Sequence, residues 1–364
     1  MLRFGKLLIG NSDQLVDLKI SEIFPQPVFT RIIFKGKHFK WAAYLDKYLL
    51  FPRQLARKIS THSNSIDLVH IVDHSNSVYL NNIKRACTAK LLVTCHDLIA
   101  IRTALGEFPS APSASPTGKR LQSWIRSSLD YADYYSCDSN QTKEDLNRLI
   151  PKSSALSKVI HLGTESQSLS SGSSLLHGSK LLFEPGNTDF ILHVGSAAWY
   201  KNRKAVFQSF INAREKNLLP DLKLVLVGPE PQGHETAPAT YNWFGQHQDS
   251  IISLHSLEEA FLKQLYLHAK ALVFPSHVEG FGWPPLEAAL SGCPVITTRS
   301  GAIYDLLGDY PRYVQSMDQD SINRAVDDCL QTGSRKPFRL SLPDNATCRN
   351  TYHELYQNML DSSN

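Results

Sequence analysis

The chain has 364 residues, a length that suggests two domains, each able to bury its own core, and excludes peptide-hormone, disulfide-miniprotein and single reader-module classes. Hydrophobic residues make up 42% and charged residues 20%, an ordinary globular composition, and no run approaches the ~18 uninterrupted apolar residues of a membrane-spanning helix. Thirty-eight Lys and Arg against 34 acids leave +4, too small an excess over this length for a surface that coats nucleic acid.

The opening MLRFGKLLIGNSDQL has a basic front but an apolar stretch of only about five residues, below the ~7–15 of a secretory h-region, so no signal peptide is expected. The six cysteines, Cys87, Cys95, Cys137, Cys293, Cys329 and Cys348, stand singly, without C-x-x-C or zinc spacing. A reduced, cytoplasmic setting follows, and the sequons at Asn140 and Asn345 read as accidental. Residues 31–59 carry eight Lys or Arg against one acid, Asp46, interleaved with aromatics and leucines. Such a basic amphipathic stretch reads either as attraction to anionic lipid, placing the protein peripherally at the inner face of a membrane, or as a solvated helix whose apolar side packs on the core.

Apolar runs bounded by turn residues then alternate with segments of helical period, the pattern of βα units and parallel sheets. In the first half, strands are expected at Ile66–Val72, Lys90–Cys95, Asp133–Cys137 and Lys158–Leu162, with helices at Lys119–Tyr131 and Gln141–Ile150, the latter started by Ser139 and Thr142. The loop Gly106–Gly118, rich in proline and serine, is expected to be irregular and mobile. Residues 166–180 are seven-fifteenths serine and read as a linker between domains 1–165 and 181–345. Second-half strands are expected at Phe190–Val194, Leu222–Val227, Ile251–Leu254, Ala271–Phe274 and Val295–Thr298, with a helix Leu257–Ala269 opened by a Ser256-x-x-Glu259 capping box. A last helix, Ala346–Leu360, shows apolar residues at helical spacing and falls in a closing segment 346–364.

Two constellations carry chemistry. In residues 275–298 a buried strand runs into Glu279-Gly280-Phe281-Gly282, prolines 284 and 285 fix a helix start, and Gly292 ends that helix. The glycines permit close backbone approach to a ligand, and the helix start favours an anion such as phosphate. Glu287 is expected in the first helical turn, able with Glu279 to face one cleft; alternatively it is an acid placed for the helix dipole and Glu279 a solvated loop acid. In residues 190–210 a strand and small-residue turn are followed by Lys201, Asn202, Arg203 and Lys204 at a helix start, where cations are disfavoured unless a polyphosphate or open solvent faces them. Neither the P-loop nor the dinucleotide fingerprint is present.

Together these segments resemble the retaining glycosyltransferases of family 4, which have the GT-B fold: α/β, two facing Rossmann-like domains with parallel sheets and a cleft between them. The resemblance is strongest from Asp189 to Gly308 and extends to DLVHIVDHS, LVTCHDL and DSNQTKEDL in the first half. It implies donor binding by Ser196, Lys201, Arg203, Gly280, Phe281, Gly282, Trp283 and Glu287, with Lys201 on the diphosphate and Glu287 on the ribose hydroxyls. It implies catalytic positions at Glu279, near the transferred sugar, and at His96, near the reacting carbon or acceptor; a strand-end structural histidine is the other reading. It also implies a last helix that crosses back to the first domain, a UDP-, GDP- or ADP-sugar donor, a glycan or lipid-linked acceptor, no metal and no cofactor.

Ser196 stands where many relatives carry arginine, and the glycine-rich loop with which relatives open is not evident in Met1–Thr30. The expected function is a hexosyltransferase building a surface or storage glycan, lipopolysaccharide among them. A catalytically silent GT-B scaffold and a sugar-nucleotide hydrolase or epimerase are the alternatives.

Overall fold

The structure is a computed structural model that describes residues 2–9, 18–32, 37–163, 184–230, 248–333, 335–339 and 343–361. The serine-rich segment 166–180 lies outside the described residues, as does part of Met1–Thr30.

The first lobe is built on β1 (Leu68–Ile71), β2 (Lys90–Cys95), β3 (Tyr134–Cys137) and β4 (Ser157–Val159), parallel and paired in chain order. The β2 run reads as a continuous apolar stretch because the sheet is buried on both faces. Its helices are α1 (Leu2–Ile9), α2 (Phe29–Ile32), α3 (Lys37–Leu45), α4 (Phe51–Ser60), α5 (Leu80–Ala86), α6 (Ile99–Ala104), α7 (Pro116–Leu129) and α8 (Asn140–Leu149). A π-turn, Asp46–Leu50, joins α3 to α4. Among the described residues no strand precedes β1, and Leu2–Ile9 is helical.

Two local expectations are corrected here and one is met. The segment Pro116–Gly118, assigned to an irregular loop, forms the first turn of α7, because Ser115 Oγ accepts the Gly118 N–H at 3.1 Å and Pro116 brings a helical φ to the first position. The fourth strand ends at Val159 rather than Leu162: Ile160 N–H makes one more bond to Cys137, and the chain then leaves the sheet with Leu162 still buried. Ser139 does cap α8, its Oγ accepting from Thr142 N–H.

The second lobe contains β5 (Phe190–Val194), β6 (Lys223–Val227), β7 (Ile251–Leu254), β8 (Ala271–Phe274), β9 (Val295–Thr297) and β10 (Arg312–Tyr313), all parallel in the order β10-β9-β8-β5-β6-β7. Helices α9 (Arg203–Glu215), α10 (Glu259–His268), α11 (Trp283–Leu290), α12 (Ile303–Leu307) and α13 (Gln319–Thr332) surround it. The strand order reverses between β5 and β8. Open α/β sheets bind ligands at such a switch point, outside the carboxyl ends of the strands. The capping box at α10 does not form: Ser256 has φ 49°, which is left-handed, and the helix begins after Glu258 without a side-chain cap.

The last helix, α14 (Asn345–Asp361), packs on the first lobe. Tyr356 Oη lies 2.8 Å from His70 Nδ1, His70 Nε2 lies 2.7 Å from Thr94 Oγ1, Thr94 pairs with Ser136, and Tyr352 donates to Ser136 at 3.2 Å. Burial, reinforced by the charge of His96, pushes His70 down to about 3, so this is a network of neutral groups, each partnered. His353 Nε2–H reaches the Leu8 carbonyl at 3.2 Å and thereby fastens α1 to the same helix. All six cysteines are buried free thiols.

Candidate active site

The β5 strand ends in a turn at Gly195 and Ser196, the latter exposed, and a single 3₁₀ turn, Trp199–Lys201, leads into α9. Asn202 joins them with φ 51°, a conformation asparagine tolerates better than most residues. Its side-chain amide donates to the carbonyls of Pro275, 3.1 Å away at the end of β8, and Ser316, 2.8 Å away beyond β10. That double contact fixes the position of Lys201.

Lys201 Nζ donates to both carboxylate oxygens of Glu279, at 2.8 and 3.0 Å, and stands 4.7 Å from the Phe274 ring centroid. Glu279 is only 7% exposed, and its N–H donates to Ser300 Oγ. Burial pushes its carboxyl above the usual range, opposed by the neighbouring ammonium. The pair joins the carboxyl ends of β5 and β8, on either side of the switch point.

After Glu279 the chain passes close to the first lobe. A Cβ on Gly280 would lie 2.5 Å from the His96 carbonyl oxygen and 2.9 Å from Asp97 Cβ, so only glycine lets the lobes meet here. Gly282, at φ 91°, then turns the chain into α11, whose first positions include Pro284 and Pro285. Phe281 is buried with its ring 4.7 Å from that of Trp283. Lys201, Glu279, Gly280, Phe281, Gly282 and Trp283 are thus brought to one edge of the crevice, opposite His96.

Three expected positions sit differently. Glu287 is the fifth residue of α11, past its first turn because the helix starts at Trp283, and its Oε2 accepts from the Tyr266 hydroxyl at 3.0 Å. Arg203 is 3% exposed, inside the lobe, where its NH1 donates to the Pro229 carbonyl and braces the loop after β6. His96 is held at both nitrogens: Nε2 lies 2.9 Å from the Val72 carbonyl and Nδ1 2.6 Å from Asp138 Oδ2. A carbonyl only accepts, so Nε2 carries a proton and has no lone pair to offer as a base. Burial disfavours the imidazolium, but the hydrogen bond and charge of Asp138 outweigh it and hold His96 above its ordinary value.

Asn202, Ser300 and Asp138 are supporting residues that spacing did not single out as site members. The loop before α7 also contributes: Phe108 packs 5.2 Å from Trp199 of the second lobe and lies under the Arg102 guanidinium. Beside it, Asp97, Thr103, Ser115, Gln122, Trp199 and Tyr200 line a hollow of ≈ 430 Å³.

Two parallel-sheet lobes facing across a crevice, with a lysine and a glutamate paired at the switch point of the second, define the GT-B architecture. The family described as Glycosyl transferases group 1 matches residues 179–346, and that described as Glycosyltransferase Family 4 matches residues 22–167. The chain belongs to family 4 of the glycosyltransferases. It is 39% identical over 79 residues to the O-antigen chain mannosyltransferase RfbU of Salmonella typhimurium, a match spanning 22% of each chain. To the serotype-specific mannosyltransferase WbdA of Escherichia coli it is 24% identical over 255 residues, spanning 68% of this chain and 30% of that one. Both matches therefore span less than a third of the relative's length. Among solved structures, sucrose-phosphate synthase from Thermosynechococcus elongatus shares the fold with a TM-score of 0.58 at 17% identity, covering 86% of this chain and 79% of that one.

Proposed function

We propose that the protein is a retaining glycosyltransferase that moves a hexose from a nucleotide-sugar donor to a glycan or lipid-linked acceptor in surface polysaccharide synthesis. Mannose is the sugar named for its relatives and the first to test. The buried Lys201–Glu279 pair at the switch point carries this reading. In the departing nucleoside diphosphate, negative charge grows on the leaving oxygen, and a positioned ammonium with the main-chain amides at the start of α11 stabilises it. Lys201 exchanges its Glu279 contact for phosphate, and the freed carboxylate faces the sugar. Because His96 has no free lone pair, the acceptor hydroxyl loses its proton to the leaving phosphate itself, as front-face attack with retention requires. The ≈ 430 Å³ hollow lined by Asp97 and Gln122 receives the acceptor.

The test is nucleotide release from UDP-, GDP- and ADP-sugars with and without acceptors. Acceptor-dependent release supports transfer, acceptor-independent turnover supports a hydrolase or epimerase, and binding without turnover supports a scaffold. Since the diphosphate is met by Lys201 and amides in this reading, turnover is expected to survive EDTA; loss restored by a divalent metal would overturn that part.

A membrane-facing position is favoured by a separate observation. Asp46, the single acid of residues 31–59, is buried, its carboxylate accepting from the N–H groups of Val28, Phe29 and Thr30 at the start of α2. α4 packs inward through Phe51, Leu55 and Ile59, whereas Trp41 is 65% exposed and begins a run of rings through Tyr44 and Tyr48 to Trp124, with neighbouring centroids 5.7–6.1 Å apart. Interfacial aromatics beside a basic stretch suit an anionic bilayer. No helix among the described residues is long and apolar enough to cross one. Vesicles containing anionic lipid are expected to pellet the protein and neutral vesicles not to, with Trp41→Ser reducing recovery several-fold. Equal recovery on both vesicle types sinks this placement.

A further inference from the structure

A second hollow, of ≈ 670 Å³, opens between the lobes on the β9–β10 side of Glu279, within the roughly 300–1,000 Å³ of ligand pockets. Arg102, Phe108 and Gln141 line it from the first lobe, and His277, Arg299 and Tyr313 from the second. Its described lining contains no aspartate or glutamate. The Arg102 charge is met by Glu107 at 2.8 Å and Asp145 at 2.6 Å. Arg299 makes no ion pair among the described residues; its guanidinium lies 4.5 Å from the Tyr304 ring centroid and 4.8 Å from that of Tyr313. Stacking of this kind holds the planar fork in place while leaving its N–H donors directed outward from the rings. Gln141 and Ser321, from the first turns of α8 and α13, border the same space and add two positive helix ends from opposite lobes.

We propose that this hollow is a subsite for an acidic saccharide, a sugar unit bearing a carboxylate or a phosphate, separate from the donor contact at Lys201. The Phe108–Trp199 ring pair divides it from the ≈ 430 Å³ hollow, in whose described lining Asp97 is the only charged residue. An extended acceptor therefore places a neutral unit near the reacting centre and an acidic one against Arg299. The saccharide class rests on the transferase reading, but the binding measurement does not need turnover.

The experiment is calorimetric titration of the full chain with glucose 6-phosphate, methyl glucuronoside and glucose, alone and with saturating UDP or GDP. Both anions are expected to bind about tenfold or more tightly than glucose, the scale of a charge-assisted guanidinium contact. Arg299→Gln, an exposed change, is expected to erase that preference while nucleotide affinity and melting temperature stay unchanged. Glucose binding as tightly as the anions, a preference that survives Arg299→Gln, or displacement by nucleotide would each overturn the proposal, the last by assigning the hollow to the donor. Failure of the transferase reading shows instead as absent turnover with the anion preference intact.

Discussion

Lys201→Met is expected to destabilise the protein more by itself than together with Glu279→Gln. The single change leaves a carboxylate, 7% exposed, without the ammonium that lies 2.8 Å away, and stranding a buried charge costs about 3–5 kcal/mol. Replacing both partners with neutral groups removes that penalty, so melting temperatures of the two singles and the double should show strong coupling. The single variant should also recover at acid pH. Its Glu279, already held above the carboxylate range by burial, then loses its only close counter-charge among the described residues and folds best protonated. Stability is therefore regained as pH falls through the raised folded value. Activity discriminates further: Lys201→Met should weaken nucleotide binding, whereas Glu279→Gln should lower transfer about a hundredfold or more with nucleotide affinity little changed. Additive melting shifts would mean the two side chains do not share their charge.

Much of this site could be read from the chain, and what could not was non-local. Strands Lys90–Cys95, Phe190–Val194, Ile251–Leu254 and Ala271–Phe274 keep their expected bounds because each is an apolar run stopped by turn-forming or charged residues. The loop glycines and paired prolines marked a ligand edge because their backbone requirements are local. That Lys201 meets Glu279, 78 positions away, depends on β5 and β8 lying side by side, which follows from strand order and not from spacing. Arg203 looked like a phosphate ligand from its place at a helix start, yet helical rotation turns it inward onto Pro229. Ser256 matched a capping box, but the chain leaving β7 takes a left-handed step there and the cap geometry is lost. Asp46 counted in the sequence as the one acid of a basic stretch; in the structure its carboxylate is taken up by the N–H groups at the start of α2, a contact that spacing does not show.

Asp138→Asn tests whether His96 is a fixed cation or a base. In the native protein Nε2–H is committed to Val72, and the second proton is shared between Nδ1 and Asp138. Asp138 Oδ1 is buried with no hydrogen-bond partner among the described residues, and burial raises the Asp138 carboxyl, so the histidine is its principal compensation. A histidine whose folded value lies above its unfolded ~6.5 contributes its full stability below that pH and loses it as pH rises through the folded value. Without Asp138, burial is opposed by the weaker support of the Val72 hydrogen bond and the Asp73 charge, so the imidazolium loses its main stabilisation and less stability is gained in acid. The melting difference between native protein and variant should therefore widen as pH falls through the raised folded value of His96 toward its unfolded ~6.5, and a flat difference would mean that the pair shares no proton. The turnover profile supplies a second readout. A base at His96 demands that kcat fall below its titration point, whereas a fixed cation leaves no such acid limb from this residue. An acid limb that moves in Asp138→Asn by the same amount as the His96 titration followed by NMR would return the histidine to the role of base and remove the front-face step proposed for this site.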